Sequence, residues 1–314
     1  ALNDAAEACG GFEGNAQTLR ILVRLEPKTF TADGASVGLN LTRGTLDACV
    51  KYPWTRERAP VPAGSHADGS PREIRKFGAY VDDLGAYGWL RKGAPDGSRC
   101  VEAQVMDLAD DIAYCVHDLE DGVVGGRFEL AQVDDDRGAL WATARDWYVR
   151  DATDDDLDAA LERLRALDEW PSGSYRGGRH DLGVLKSLTS GLIGRFVLSA
   201  RRATREAYGG GPLTRYSADL VVPADTRAEI AVLKAVVAHF VMRADDRISH
   251  LRGQRDVVGG LVEAILRSGP DALETALAAD FEEAADDAER LRVVVDQVAS
   301  LTDGSALEWA ERML

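Results

Sequence analysis

The sequence predicts an all-α protein: a helical bundle with a small hairpin and a set of C-terminal helices. Three observations carry the helical class. Apolar residues recur at three- and four-residue spacing over most of the 314 positions. Glycines and prolines gather between those runs rather than within them. No repeat or low-complexity linker divides the chain, whose 45% hydrophobic content suffices for a packed interior, so 1–314 is expected to be a single domain.

The elements follow in order. The chain opens in a run that reads as helical. "EGNAQTLRILVRLE" (13–26) places Ala16, Leu19, Ile21, Leu22 and Leu25 at helical spacing. Asp33-Gly34 marks a hairpin-type turn between two short extended pieces. "NLTRGTLDACVKY" (40–52) predicts a helix capped by Thr42 and stopped before Pro53. Residues 53–75 read as a long loop, and "KFGAYVDD" as a brief strand or loop. A helix rich in acidic residues is expected over 101–121, ended by Gly122, Gly125 and Gly126. Helices at 137–149, 154–167 and 182–207 follow, then 224–244, 247–267, 270–279, 282–301 and 304–313.

Charge and cysteine usage exclude several function classes. With 53 acidic and 37 basic side chains the net charge is −16, a field that repels nucleic acid and anionic membranes. Double-stranded nucleic acid and membrane are therefore not expected partners, and no apolar run suggests a bilayer span. The scattered cysteines Cys9, Cys49, Cys100 and Cys115 fit reduced thiols and a cytoplasmic location. A phosphorylated ligand would need a local cluster of Lys and Arg.

Some acidic clusters have plain structural readings. "TDDDLD" (153–158) opens a helix, with Thr153 as cap and aspartates at the positive end of the dipole. "VDDDRG" (133–138) lacks the ligand loop of an EF-hand and reads as a turn. His180-Asp181 resembles a metal pair, but Asp181 is placed to cap a helix after a glycine-rich loop. "DDIAYCVHD" lacks the Asp-Asp-x-x-Asp spacing of prenyl-transfer enzymes.

"QVMDLADDIAYCVHDLEDG" (104–122) is harder to dismiss. Asp110, Tyr114 and Asp118 stand four residues apart and form one stripe on a helix. Val105, Leu108, Ile112, Cys115, Val116 and Leu119 cover much of the remaining circumference. Packing on both sides would aim the stripe into an interior cleft, where bare carboxylates are costly and a metal or sugar hydroxyl relieves the cost. A solvated stripe is the competing reading.

"FEGNAQTLRIL", "GLNLTRGTLDACVKYPW", "RKFGAY", "VMDLADDIAYCVHDLEDG" and "LTSGLIGRF" stand in this order between about residues 9 and 220. In these five motifs the chain resembles the deoxyguanosine triphosphate triphosphohydrolases of the HD-domain superfamily. The resemblance implies an all-helical homo-oligomer that splits a deoxynucleoside triphosphate into deoxynucleoside and tripolyphosphate. It also implies a divalent metal, magnesium or manganese, held by a His, a His-Asp pair and a distant Asp.

Carried over residue by residue, Asp110 is the distant metal ligand, while Tyr114 and Asp118 meet the deoxyribose. Lys51, Tyr52, Lys76 and Arg195 are phosphate-side contacts, and Asn15 is a further nucleotide contact. No catalytic proton-transfer residue is implied within the chain. The family's His and His-Asp ligands precede the segment matching "GGFEGNAQ", and His66, His117, His180, His239 and His250 lie outside that context. The expectation is therefore an enzyme seen without its metal-binding segment, inactive as residues 1–314 alone. The alternative is a non-catalytic helical module for nucleotide binding or oligomerisation.

Overall fold

The computed structural model describes residues 1–62, 75–242 and 245–314, the side chains of 245–251 excepted. The middle of the expected 53–75 loop, with His66, lies outside the described residues, as do residues 243–244 and the His250 side chain. Thirteen α-helices are described. The first four are α1 (Leu2–Ala5), α2 (Gly14–Arg20), α3 (Arg43–Ala48) and α4 (Leu84–Leu90). Next come α5 (Val101–Val124), α6 (Arg137–Trp147), α7 (Asp154–Arg165), α8 (Arg179–Tyr208) and α9 (Ala224–Val237). The chain closes with α10 (Asp245–Ser268), α11 (Thr275–Glu283), α12 (Asp287–Ser300) and α13 (Asp303–Met313). Among the described residues extended pairing is limited to two isolated bridges, so the fold is all-helical as expected.

Local chemistry sets the helix starts. The Thr42 hydroxyl accepts the Thr45 N–H at 3.2 Å, and Thr153 and Asp156 form a reciprocal capping box. Asp286 and Thr302 cap α12 and α13 in the same way. The hairpin is real but minimal: Phe30 bridges Ser36, and Gly34 turns the chain with φ of 88°. A positive φ there suits glycine, which carries no Cβ.

Several boundaries differ from expectation. α3 ends at Ala48, because Cys49 and Val50 close the last turn with three-residue bonds to Leu46 and Asp47, so Lys51 and Tyr52 lie beyond the helix. α2 passes into a π-helical turn over Ile21–Leu25. α4 fills a stretch to which the sequence reading assigns no element, its apolar pattern interrupted by two internal glycines. α5 runs through Gly122, which is not a terminator. A Cβ there would stand 2.5 Å from the Phe128 ring, so the glycine is a close-packing point, and Gly126 at φ of 66° makes the turn beyond the helix.

The chain forms two compact units, described separately. The first joins three segments, Ala1–Pro60, Arg75–Gly97 and Ile248–Leu314; the second is built on Ser98–Arg247. In the second unit α9 is the central helix, apolar nearly all round, with α5, α6 and α7 packed against it. Its core includes Ile112, Val116, Leu119, Leu140, Leu161, Leu188, Leu192, Phe196 and Val232. α8 is long and apolar enough to cross a membrane by length and composition, contrary to the sequence reading. It serves here as a core helix, burying Leu185, Leu188, Leu192 and Phe196 on one side. In the first unit, α12 and the last half of α10 build a core of Leu261, Ile265, Val294, Val295 and Val298. A smaller cluster of Leu19, Leu46, Val50, Ala79 and Leu90 holds α2, α3 and α4 together.

Candidate functional site

In the second unit the acidic helix sorts its own carboxylates. Ile112, Cys115, Val116, Leu119 and Val123 face the core, so the opposite side of α5 is left to solvent. Three acids on the flanks are engaged. Asp107 pairs with Arg99, and Asp111 accepts from Lys234 Nζ at 2.9 Å. Glu120 accepts from the Thr189 hydroxyl at 2.7 Å and from Lys186 Nζ at 3.1 Å, and these bonds, Thr189 first, hold its carboxyl below the usual glutamate range.

Asp110 and Tyr114 lie on the exposed side, Tyr114 with 60% of its surface open, while Asp118 is half-buried. Of the two readings of the stripe, this unit shows the solvated one. One side of α5 is packed, not both, and a large aromatic ring stands in the open beside two carboxylates. The Tyr114 ring supplies a flat apolar surface, and Asp118 an acceptor one helical turn away.

Arg195 sits on α8 in the same unit, where its guanidinium is bound in fork geometry. Nε donates to Glu229 Oε2 at 2.7 Å and Nη2 donates to Glu229 Oε1 at 2.8 Å. Arg163 Nε donates to the same Oε1 at 2.7 Å. Burial alone would push the Glu229 carboxyl up. The Arg195 and Arg163 bonds more than reverse this and hold it below the ordinary glutamate value.

The first unit carries Asn15, Lys51, Tyr52 and Lys76, and it gathers two of them on one residue. Glu13 is almost fully buried. Its Oε2 accepts the backbone N–H of Asn15 at 2.6 Å, capping α2. Its Oε1 accepts the Asn15 amide at 3.0 Å and lies 3.1 Å from Lys76 Nζ. The "KYPW" and "KFG" segments run side by side. Trp54 Nε1 donates to the Lys76 carbonyl at 2.7 Å, the Gly78 N–H donates to the Trp54 carbonyl at 3.0 Å, and Thr55 bridges Ala79. Gly78 is required there, since a Cβ would fall 2.3 Å from the Tyr52 carbonyl oxygen. Lys51 and Tyr52 are both half-buried on this segment.

Behind this group stands a buried ionic network. Asp296 on α12 accepts from Gln17 Nε2 at 2.8 Å and from Arg20 Nε at 2.8 Å. Arg20 reaches Asp83 as well, at 3.3 Å. Arg292 donates to the carbonyls of Cys9 and Gly11 and lies 3.9 Å above the Tyr80 ring. Burial pushes the Tyr80 hydroxyl up to about 12, so it stays protonated and bonds both backbone groups of Glu13 at 3.2 Å.

Sequence reasoning missed Glu13, Glu229 and Asp296, although Glu13 stands inside a quoted motif. The signal for Glu13 was its place immediately before Gly14-Asn15, where a carboxylate caps a helix. The structural readings of two clusters hold. Asp181 accepts the N–H groups of Arg176 at 2.9 Å and Gly178 at 3.3 Å, while the His180 side chain is 90% exposed. Thr153–Asp156 is a cap. Among the described residues no three His, Cys, Asp or Glu side chains gather to hold a metal ion, so Asp110 does not by itself make a metal site.

Comparison with known proteins gives one result throughout. Residues 220–312 match the model of the phosphohydrolase-associated domain, a span that includes Glu229, Lys234, Arg292 and Asp296. The chain is similar to a deoxyguanosinetriphosphate triphosphohydrolase-like protein of Streptomyces coelicolor, 54% identical over 310 residues, covering 98% of this chain and 70% of the relative. It is 47% identical over 314 residues to a protein of the same description from Bifidobacterium longum, covering 98% of this chain and 64% of that one. A third, from Corynebacterium glutamicum strain R, is 38% identical over 311 residues, with 96% and 69% covered. The chain thus spans roughly two thirds of the length of these relatives, and it belongs to the deoxyguanosinetriphosphate triphosphohydrolase-like family.

Proposed function

We propose that the protein hydrolyses deoxynucleoside triphosphates to deoxynucleoside and tripolyphosphate, with a divalent metal, magnesium or manganese, as cofactor. The observation that carries the reading is the 54% identity to a deoxyguanosinetriphosphate triphosphohydrolase-like relative over nearly the whole chain. The local chemistry supports it. Lys76 and Arg195 are basic groups held by buried carboxylates, as contacts for phosphate oxygens need to be. Tyr114 offers an open ring for a sugar to lie on, and Asp118 an acceptor for its 3′-hydroxyl. Lys51, Tyr52 and Asn15 are further nucleotide contacts in this reading.

The reaction adds water at the α-phosphorus and breaks the bond to O5′. The nucleoside leaves as its 5′-alcohol and the three phosphates leave together. Lys51, Lys76 and Arg195 would bind the triphosphate oxygens of substrate and of released tripolyphosphate alike. Asp110 would be one metal ligand, but it does not complete a site with the other described residues.

The experiment is direct. Protein expressed from its complete reading frame is incubated with each dNTP and rNTP in Mg²⁺ or Mn²⁺, and the phosphate products are separated. Tripolyphosphate from a dNTP is the expected result. Pyrophosphate, orthophosphate or no product from every dNTP would remove the reading.

A further inference from the structure

Arg195 donates two hydrogen bonds to one carboxylate, and that carboxylate comes from a different helix. Glu229 is 1% exposed on α9 and binds Arg195 through Nε and Nη2 together. A guanidinium held along that edge cannot rotate, and its Nη1 edge is directed away from the carboxylate. The second arginine on Glu229, Arg163 on α7, prevents the carboxylate from following Arg195 outward. Ser199 and Thr226 add a hydroxyl contact of 2.6 Å between α8 and α9 one turn further on. The Arg195 side chain is 36% exposed, whereas the Glu229 carboxylate that binds it is buried.

We propose that Glu229 is a positioning residue for a polyphosphate contact: it fixes the Arg195 guanidinium so that the Nη1 edge meets phosphate oxygens of the substrate. The proposal rests on the hydrolase reading for the identity of that substrate. It assigns a task to the phosphohydrolase-associated segment, which contains Glu229 within its 220–312 span. The same helix places Lys234 on Asp111, beside Asp110, so α9 braces both α5 and α8.

Two effects oppose each other when the carboxylate is neutralised. Removing its charge leaves two arginines to attract an anion, and removing its grip leaves Arg195 free among many rotamers. At a partly exposed site water and salt screen the first effect, so the loss of orientation prevails.

The test uses protein from the complete reading frame at about 0.15 M salt. Variants Glu229→Gln, Arg195→Lys and the double variant are compared for dGTP turnover and, by calorimetry, for binding of inorganic tripolyphosphate. Arg195→Lys keeps the charge but cannot form the fork, and it stands in if Glu229→Gln fails to fold. Each single variant should raise KM and the tripolyphosphate Kd about tenfold, with kcat within about twofold, the signature of lost uniform binding. The double variant should be no worse than Arg195→Lys, because one function is removed twice.

Unchanged or tighter binding in the single variants, or fully multiplicative losses in the double, would overturn the proposal. The two readings fail separately. Turnover by wild type with unaltered KM in the variants sinks the positioning role alone. Tripolyphosphate binding that depends on Glu229 and Arg195, without dNTP cleavage, sinks the hydrolase reading alone. Neither binding nor cleavage sinks both.

Discussion

The exposed stripe of α5 and the buried group around Glu13 place candidate substrate residues in opposite ways. Asp110, Tyr114 and Asp118 stand on one continuous helix whose other side is anchored in the core, so their spacing is set by helix geometry alone. Asn15 and Lys76 are 61 positions apart in the sequence and are brought together by one buried carboxylate, backed by Asp296 from α12. The first arrangement tolerates changes elsewhere in the chain. The second depends on a chain of charged groups, each of which would be costly to leave unpaired. Position comes from regular geometry in one unit and from interlocked electrostatics in the other.

The largest effect that would expose this difference is on stability. Arg20→Ala removes the cation between Asp296 and Asp83, both buried, and should cost about 3–5 kcal/mol in denaturant titration. A loss below about 1 kcal/mol would show that the network is not what holds α2. Asp110→Ala should leave the melting curve unchanged, since the residue is exposed, yet reduce dNTP hydrolysis by at least about a hundredfold if it ligates the metal. Wild-type turnover at matched metal concentration would end that assignment. Tyr114→Ala should change stability by less than about 0.5 kcal/mol while narrowing the preference for deoxy- over ribonucleotides. An unchanged deoxy-to-ribo ratio would detach the ring from the sugar.

Acidity gives a subtler test. The Glu229 carboxyl titrates below its unfolded value of about 4.3. Its contribution to stability is therefore complete above that pH and is lost as pH falls through the lower, folded value. The melting temperatures of wild type and Glu229→Gln should differ at pH 6 and converge as the pH falls below the ordinary glutamate range. A gap that persists into acid would mean the stabilisation does not come from the ionised carboxylate. The expectation of a single domain predicts one calorimetric transition for the whole chain, and two resolved peaks would separate the units.

What was legible in the sequence was local. Thr42, Thr153 and Asp33-Gly34 act on residues within four positions of themselves, and each was read correctly. The order and approximate span of the long helices followed from apolar spacing, and the stripe on α5 from its four-residue repeat. The hidden part was pairwise. Nothing in "RAEIAVLK" says that Glu229 meets Arg195 across 34 positions, or that Asp111 will find Lys234 rather than solvent. The choice between cleft and solvated stripe was hidden for a similar reason. Helical spacing shows which residues share a face, but not whether a second face is covered.

The buried bond between Gln17 and Asp296 has a consequence for the order of assembly on the ribosome. The two residues are 279 positions apart. At about 5–20 residues per second, roughly 14–56 s pass between their syntheses. The segment Ser98–Arg247 is complete within that interval, whereas Gln17 and Arg20 of "EGNAQTLRIL" must wait for Asp296. A nascent chain halted before α12 would carry a finished second unit and an unsealed first one, leaving that amphipathic segment open to chaperones and proteases.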